Sequence, residues 1–125
     1  MKLRANRRPG NRAMTKAERA HVDDVKRSGC GPCIDRGYLP DGDSVVEAHH
    51  HLLGGIRIGH LATEGLCVYH HRGVPFVEGW TLADHRLHLG PSMFLEAREF
   101  KRLFGPDAER LAAQNHRIKT REAQQ

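Results

Sequence analysis

The chain has 125 residues, a formal net charge of +5, ten histidines, three cysteines and only 6% aromatic residues; its sequence pI is about 9.5 and its mean hydropathy −0.62. One small domain of this composition buries a modest apolar core, so a bound metal is the expected supplement to its stability. The odd cysteine count argues against a disulfide framework, no stretch approaches the ~18 apolar residues of a membrane helix, and the basic start lacks the apolar run of a secretory signal, so a soluble, cytoplasmic protein with reduced thiols is expected.

Charge is concentrated at the start, where Lys2, Arg4, Arg7, Arg8, Arg12, Lys16 and Arg19 face a single acid, Glu18. Residues 1–14 read as a basic flexible arm, residues 15–118 as the domain proper and 119–125 as a polar tail that frays. The arm suits phosphate contact, with a log-affinity against log-salt slope of about −6 if all these cations take part. The same composition also fits an ordinary solvated terminus.

Thr15-Lys16-Ala17-Glu18 has the pattern of a capping box and predicts a short helix ending near Lys26-Arg27, with Ala17, Val22 and Val25 inward. Cys30-Gly31-Pro32-Cys33 is expected to form a tight turn. Tyr38-Leu39 and Val45 to His50 flank the turn signal Pro40-Asp41-Gly42-Asp43, which predicts a β-hairpin. Gly54, Gly55 and Gly59 mark an irregular loop. Cys67 to Arg72, stopped by Gly73 and Pro75, suits one or two helical turns. Helical spacing recurs from Ser92 through Met93, Ala97, Phe100 and Phe104, and a further helix is expected over Asp107 to His116 with Leu111 and Ala112 inward.

Cys30-x-x-Cys33 and Cys67-x-x-His70 together supply the ligands of a closed tetrahedral Cys₃His zinc site. One such pair is a weak signal; two half-sites are a strong one. CGPC is also a thioredoxin-type redox motif, but that chemistry needs a βαβ context, and a hairpin and a His-rich segment are expected to follow here. On a strand, His49 and His51 share one side and His50 takes the other. In a hydrolytic site one imidazole can bind a divalent ion while a neighbour accepts a proton from water. His71, next to His70 on a helix, points about 100° away from it, towards a second site. Isolated histidines such as His21 and His116 fit ordinary surface positions, and the run of three also fits an exposed metal-scavenging patch.

CxxC, a strand ending in HH, a loop, and LCxxHH opening a helix together resemble the HNH (ββα-metal) nucleases with a zinc knuckle. More narrowly, VEAHHHLLGGIRIGH, EGLCVYHHRGVP and LGPSMFLEAREFKRLFG resemble the phage recombination-enhancement, RecA-dependent nuclease family over roughly residues 28–116. The resemblance implies an α+β, zinc-stabilised ββα-metal (HNH, treble-clef-like) domain with C-terminal helices. It implies His49 and His71 as ligands of a catalytic ion, Mg²⁺ or another divalent metal, and His50 as general base. The family's middle Asn has no obvious counterpart, and His60 is the nearest polar residue to take its place. His51 is left without a role, and His85 and His88 stand as additional candidate ligands. Arg57 and Arg72 would grip the scissile phosphate, with Arg4, Arg7, Arg8 and Arg12 on DNA further out. The implied activity is metal-dependent DNA endonuclease cleavage, acting with a RecA-type filament in a bacterial host cell, from a phage or prophage gene. The alternative is a zinc-stabilised DNA-binding or adaptor protein without catalysis.

Overall fold

The computed structural model describes residues 13–38, 45–53 and 56–123. The arm residues Arg4, Arg7, Arg8 and Arg12, the expected turn at 40–43 and Leu39 lie outside the described residues. Those described form a small mixed α and β structure: α1 (Lys16–Ser28), α2 (Gly31–Asp35), β1 (Val46–His50), β2 (Leu52–Leu53), β3 (Ile56–Arg57), β4 (Thr63–Cys67), α3 (Val68–Arg72), α4 (Leu82–Leu89), α5 (Ala97–Phe104) and α6 (Asp107–Ala123).

Helix α1 starts where its capping box directs. Thr15 Oγ1 accepts from Glu18 N at 3.1 Å and Thr15 N donates to Glu18 Oε1 at 2.9 Å, satisfying two N–H groups that the first turn leaves open. Val22 and Val25 are buried, while Ala17 is exposed. The CGPC stretch is a short helix rather than a bare turn. Cys30 is the N-cap of α2 and Pro32 sits in its first turn, where a missing N–H breaks no helical bond.

The sheet is built differently from the expected hairpin. β1 pairs antiparallel with β4, with Val46 opposite Cys67, His49 opposite Glu64 and His50 opposite Thr63. β2 and β3 make a minor ladder within the intervening loop. Tyr38 is in no strand; its N–H bonds to Cys33 O at 2.8 Å and closes α2 instead. A long loop therefore separates the paired strands.

All five residues of β4 are buried, and the strand lies against the end of α1. Gly65 makes this approach possible, because a Cβ there would stand 2.8 Å from both Gly29 O and Val25 O. Helix α6 covers β4 with the face carrying Arg110, Gln114 and Ile118, which leaves Leu111 half-buried and Ala112 exposed. Gln114 clamps the strand backbone: Gly65 N donates to Gln114 Oε1 at 2.7 Å and Gln114 Nε2 donates to Thr63 O at 2.8 Å. The helix continues to Ala123, past the polar residues after Lys119.

The core joins Cys30, Cys33, Leu66, Cys67, Tyr69, Leu89 and Phe100. Helix α4 was not anticipated; it opens on its own capping box, Thr81 with Asp84. Helix α5 begins at Ala97, later than the spacing from Ser92 suggested. No helix among the described residues is long and apolar enough to cross a membrane.

Candidate metal centre and histidine faces

Both halves of the Cys₃His cluster use the same local device. Cys30 is the N-cap of α2 with Cys33 three residues on, and Cys67 is the N-cap of α3 with His70 three residues on. An N-cap side chain faces the third helical residue, so a C-x-x-ligand spacing at a helix start puts both donors on one side. The start of α3 also ties Cys67 Sγ to His70 N at 3.3 Å.

Packing then brings the halves together. His70 Nδ1 lies 3.3, 3.5 and 3.3 Å from the sulfurs of Cys30, Cys33 and Cys67, and Cys33 Sγ lies 3.7 Å from Cys67 Sγ. A tetrahedron with Zn–S near 2.3 Å and Zn–N near 2.05 Å has S···S edges of about 3.8 Å and S···N edges of about 3.5 Å. The four side chains have no exposed surface. His70 Nε2 stands 2.8 Å from Leu89 O, an acceptor only, so Nε2 carries the hydrogen and Nδ1 turns its lone pair to the sulfurs.

The thiols are mutually frustrated without a cation. Burial pushes Cys30 well up, hydrogen bonds with Cys30 and Cys67 push Cys33 up, and Cys67 is drawn down because the other two thiols bond to it. Local hydrogen bonding can therefore stabilise one thiolate, whereas a dication stabilises all three. Cys30, Cys33, Cys67 and His70 form a candidate metal site whose donors and edges fit zinc. Among the described residues they are the one group of three or more such donors within 4.8 Å of one another.

The remaining histidines of β1 divide between the faces of the strand. On one face the His49 ring lies 5.5 Å from the His51 ring and 5.0 Å from the His71 ring, centroid to centroid. On the other, His50 Nε2 lies 3.0 Å from Nδ1 of His60. His60 is buried and its carbonyl accepts from Thr63 Oγ1 at 2.5 Å. Burial, reinforced by the neighbouring His71, pulls His49 down to about 4, so it is a neutral imidazole at neutral pH. Burial also lowers His50, helped by the positive charge of Arg57 and by His60.

Three further residues complete the His49 face, none of them singled out from the sequence. Glu47 Oε1 accepts from His71 Nδ1 at 3.0 Å, and the same carboxylate takes Arg72 in two bonds of 2.8 and 2.7 Å. The Arg72 bond, with His71 beside it, holds the Glu47 carboxyl below its ordinary value. Glu64 accepts from His51 Nε2 at 2.8 Å and from Arg110 at 2.9 and 3.1 Å. Burial alone would raise Glu64, but the bonds from His51 and Arg110 outweigh it and keep the carboxyl below its ordinary value. Glu47 shares the face of His49 by strand alternation and was within reach of a period-two reading. Glu64 faces His49 only through the β1–β4 register, and Arg110 arrives from a distant helix.

The other histidines have different surroundings. Buried His85 donates through Nδ1 to Thr81 O at 2.8 Å and accepts from Phe76 N and Val77 N at 3.0 and 3.1 Å, so both ring nitrogens already pin the 76–85 segment. His88 stacks on Trp80 at 4.6 Å. Arg57 is exposed, on β3.

A family model described as "recombination enhancement, RecA-dependent nuclease" matches residues 14–119. No curated protein and no solved structure matches the chain.

Proposed function

Because the chain belongs to the recombination enhancement, RecA-dependent nuclease family, we propose that it is a metal-dependent DNA endonuclease of the HNH (ββα-metal) kind that hydrolyses phosphodiester bonds with a histidine general base. The observation that carries this is the pairing of His50 with His60 on one face of β1 while His49 and His71 lie together on the other. The strand pair runs straight into α3, the order a ββα-metal site needs, and the Cys₃His cluster anchors the start of that helix.

In this mechanism His50 is the base. Its depressed pKa keeps the ring neutral, and with Nε2–H donating to His60 Nδ1 its own Nδ1 is left to take a proton from the attacking water. His60 thus orients the base, in place of the Asn of the HNH pattern. His49 and His71 are the residues that would hold the catalytic divalent ion; Glu47 fixes the hydrogen of His71 on Nδ1 and leaves Nε2 free. When bound, that ion supplies charge stabilisation at the phosphoryl and leaving oxygens. Cleavage then requires the scissile phosphate to lie across the C-terminal end of β1, where both faces are within its reach. Arg57 is exposed there, Arg72 stands beside His71, and Arg4, Arg7, Arg8 and Arg12 would extend the phosphate contacts. The family description names RecA dependence, and our reading places the reaction on DNA held with a RecA-type filament in the cytoplasm of a host cell.

The test is nicking of single-stranded, duplex and filament-coated DNA with and without magnesium, comparing the wild type with His50→Ala. Removing a general base is expected to cost about 10²–10⁴-fold in rate, with zinc content and helical circular dichroism unchanged. Retained cleavage by His50→Ala overturns the assignment of the base. DNA binding without cleavage in any divalent metal would identify an adaptor instead.

A further inference from the structure

Behind the His49 face lies a buried charged chain that the nuclease mechanism above does not use. His51 and Glu64 are each 2% exposed and Arg110 7%. Glu64 is gripped at both oxygens by Arg110 and points its Oε1 at the His51 ring. Arg110 is itself fixed by Asp107 at 2.7 Å, by Gly105 O at 2.7 Å, and by the Phe100 ring 4.8 Å beneath its guanidinium. The chain ends where His51 packs against His49, across the strand pair from which Glu64 projects.

We propose that Glu64 and Arg110 are positioning residues for the His49 face, acting through His51 to hold the His49 imidazole in place, so that α6 is part of the nuclease machinery. This rests on the assignment of His49 and His71 to the catalytic ion.

Two observations favour positioning over plain stability. A fully buried ion pair loses so much hydration that apolar residues of similar size generally stabilise as well or better. In addition, α6 is already docked without charge, since Gln114 bonds the backbone of β4 on both sides of Glu64. What the charged chain adds is direction. A carboxylate on Nε2 fixes both the tautomer and the ring plane of His51, and the His51 backbone is held as well, by Ala62 O at 2.9 Å and Ile58 N at 3.1 Å. His49 has the inverse character: its ring is packed between two imidazoles, so its orientation is set by theirs.

Glu64→Gln in the zinc-loaded full chain keeps the shape and removes the charge that locks this chain. The probe is Mn²⁺ alone, followed by calorimetric titration and by broadening of the His49 and His71 imidazole resonances, alongside kcat and KM for nicking. The expected result is an Mn²⁺ dissociation constant and an activation midpoint raised about 10–100-fold, as for other groups behind metal ligands, with KM for DNA and zinc content unchanged. Gln114→Leu is the structural comparator, expected to lower Tm without moving Mn²⁺ binding. If Glu64→Gln lowers Tm and leaves Mn²⁺ binding where Gln114→Leu leaves it, the positioning role is overturned. Should Glu64→Gln fail to fold, Arg110→Lys keeps the charge but loses the two-pronged grip. A smaller rise in the same direction then supports the proposal, and no rise overturns it. His49→Ala separates the two levels: if it keeps full Mn²⁺ binding and cleavage, the ion assignment itself falls, and the role of Glu64 with it.

Discussion

In the Cys₃His cluster four donors come within 4.8 Å of one another and none touches solvent. On the His49 face the rings stand in a row, 5.5 and 5.0 Å apart, and each outer ring is tied to a carboxylate. The first arrangement is closed and all four of its donors point inward, as a structural ion requires. The second buries His51 but leaves His49 and His71 partly exposed, with carboxylates behind the outer imidazoles, an arrangement that suits the proposed catalytic ion, which water and substrate would also have to reach. Both are served by the same strand: β4 contributes Glu64 to one and Cys67 to the other. The difference between them is therefore one of support, and it can be broken from either side.

The largest effect is expected from zinc. Structural zinc contributes on the order of 10–16 kcal/mol in finger-sized peptides, as much as a small domain's whole margin of about 5–15 kcal/mol. Stripping the metal with a chelator, or Cys67→Ala, is expected to unfold the domain, read as loss of helical circular dichroism together with zinc content. His49→Ala, by contrast, should leave both unchanged. Cys67→Ala protein that stays folded with zinc fully bound would refute the Cys₃His site.

A smaller effect should strike both regions at once. In Gly65→Ala the new methyl meets two backbone carbonyls at 2.8 Å, and neither can swing aside as a side-chain end would. Overpacking of this sort costs about 1–3 kcal/mol, or a fall in Tm of roughly 4 °C for each kcal/mol. Because Gly65 lies between Glu64 and Cys67, metal retention and Mn²⁺ affinity should fall together in this variant. If only one falls, β4 is not a shared platform.

What was legible in the sequence follows the same division. Thr15 with Glu18, Cys30 with Cys33, and Cys67 with His70 act over three residues, so their spacing reports their geometry directly. The split of His49 and His51 from His50 was legible for the same reason, since strand alternation needs no partner. The partner of β1 was not. Turn chemistry at 40–43 pointed to a neighbour close in sequence, whereas β4 comes after a loop whose length carries no register. Glu64 was invisible for that reason. Arg110 was missed because the inward stripe of α6 is Arg110, Gln114 and Ile118, two of them polar, and an apolar count favours Leu111 and Ala112 instead. Helix α4 buries His85 and Leu89 but leaves Leu82 and Leu87 exposed, so no apolar stripe announced it.

Acid should separate the two regions by the finest effect. Acidification protonates thiolates and releases zinc, which destabilises wild type and Glu64→Gln alike. Glu64 adds its own contribution. Its folded pKa is depressed, so the unfolded chain binds more protons as the pH falls through the ordinary glutamate range near 4.3, and stability must fall with it. That contribution is fully present above the unfolded value and is gone once the pH has passed below the folded one. Urea melts at stepped pH, with zinc content measured in parallel, should therefore show wild type and Glu64→Gln losing zinc over the same range. At the pH steps where zinc is still fully bound, only wild type should show the additional downward slope as the pH falls towards about 4.3. If the two curves stay parallel throughout that range, Glu64 is not held ionised by His51 and Arg110, and the charged support of the His49 face loses its electrostatic basis.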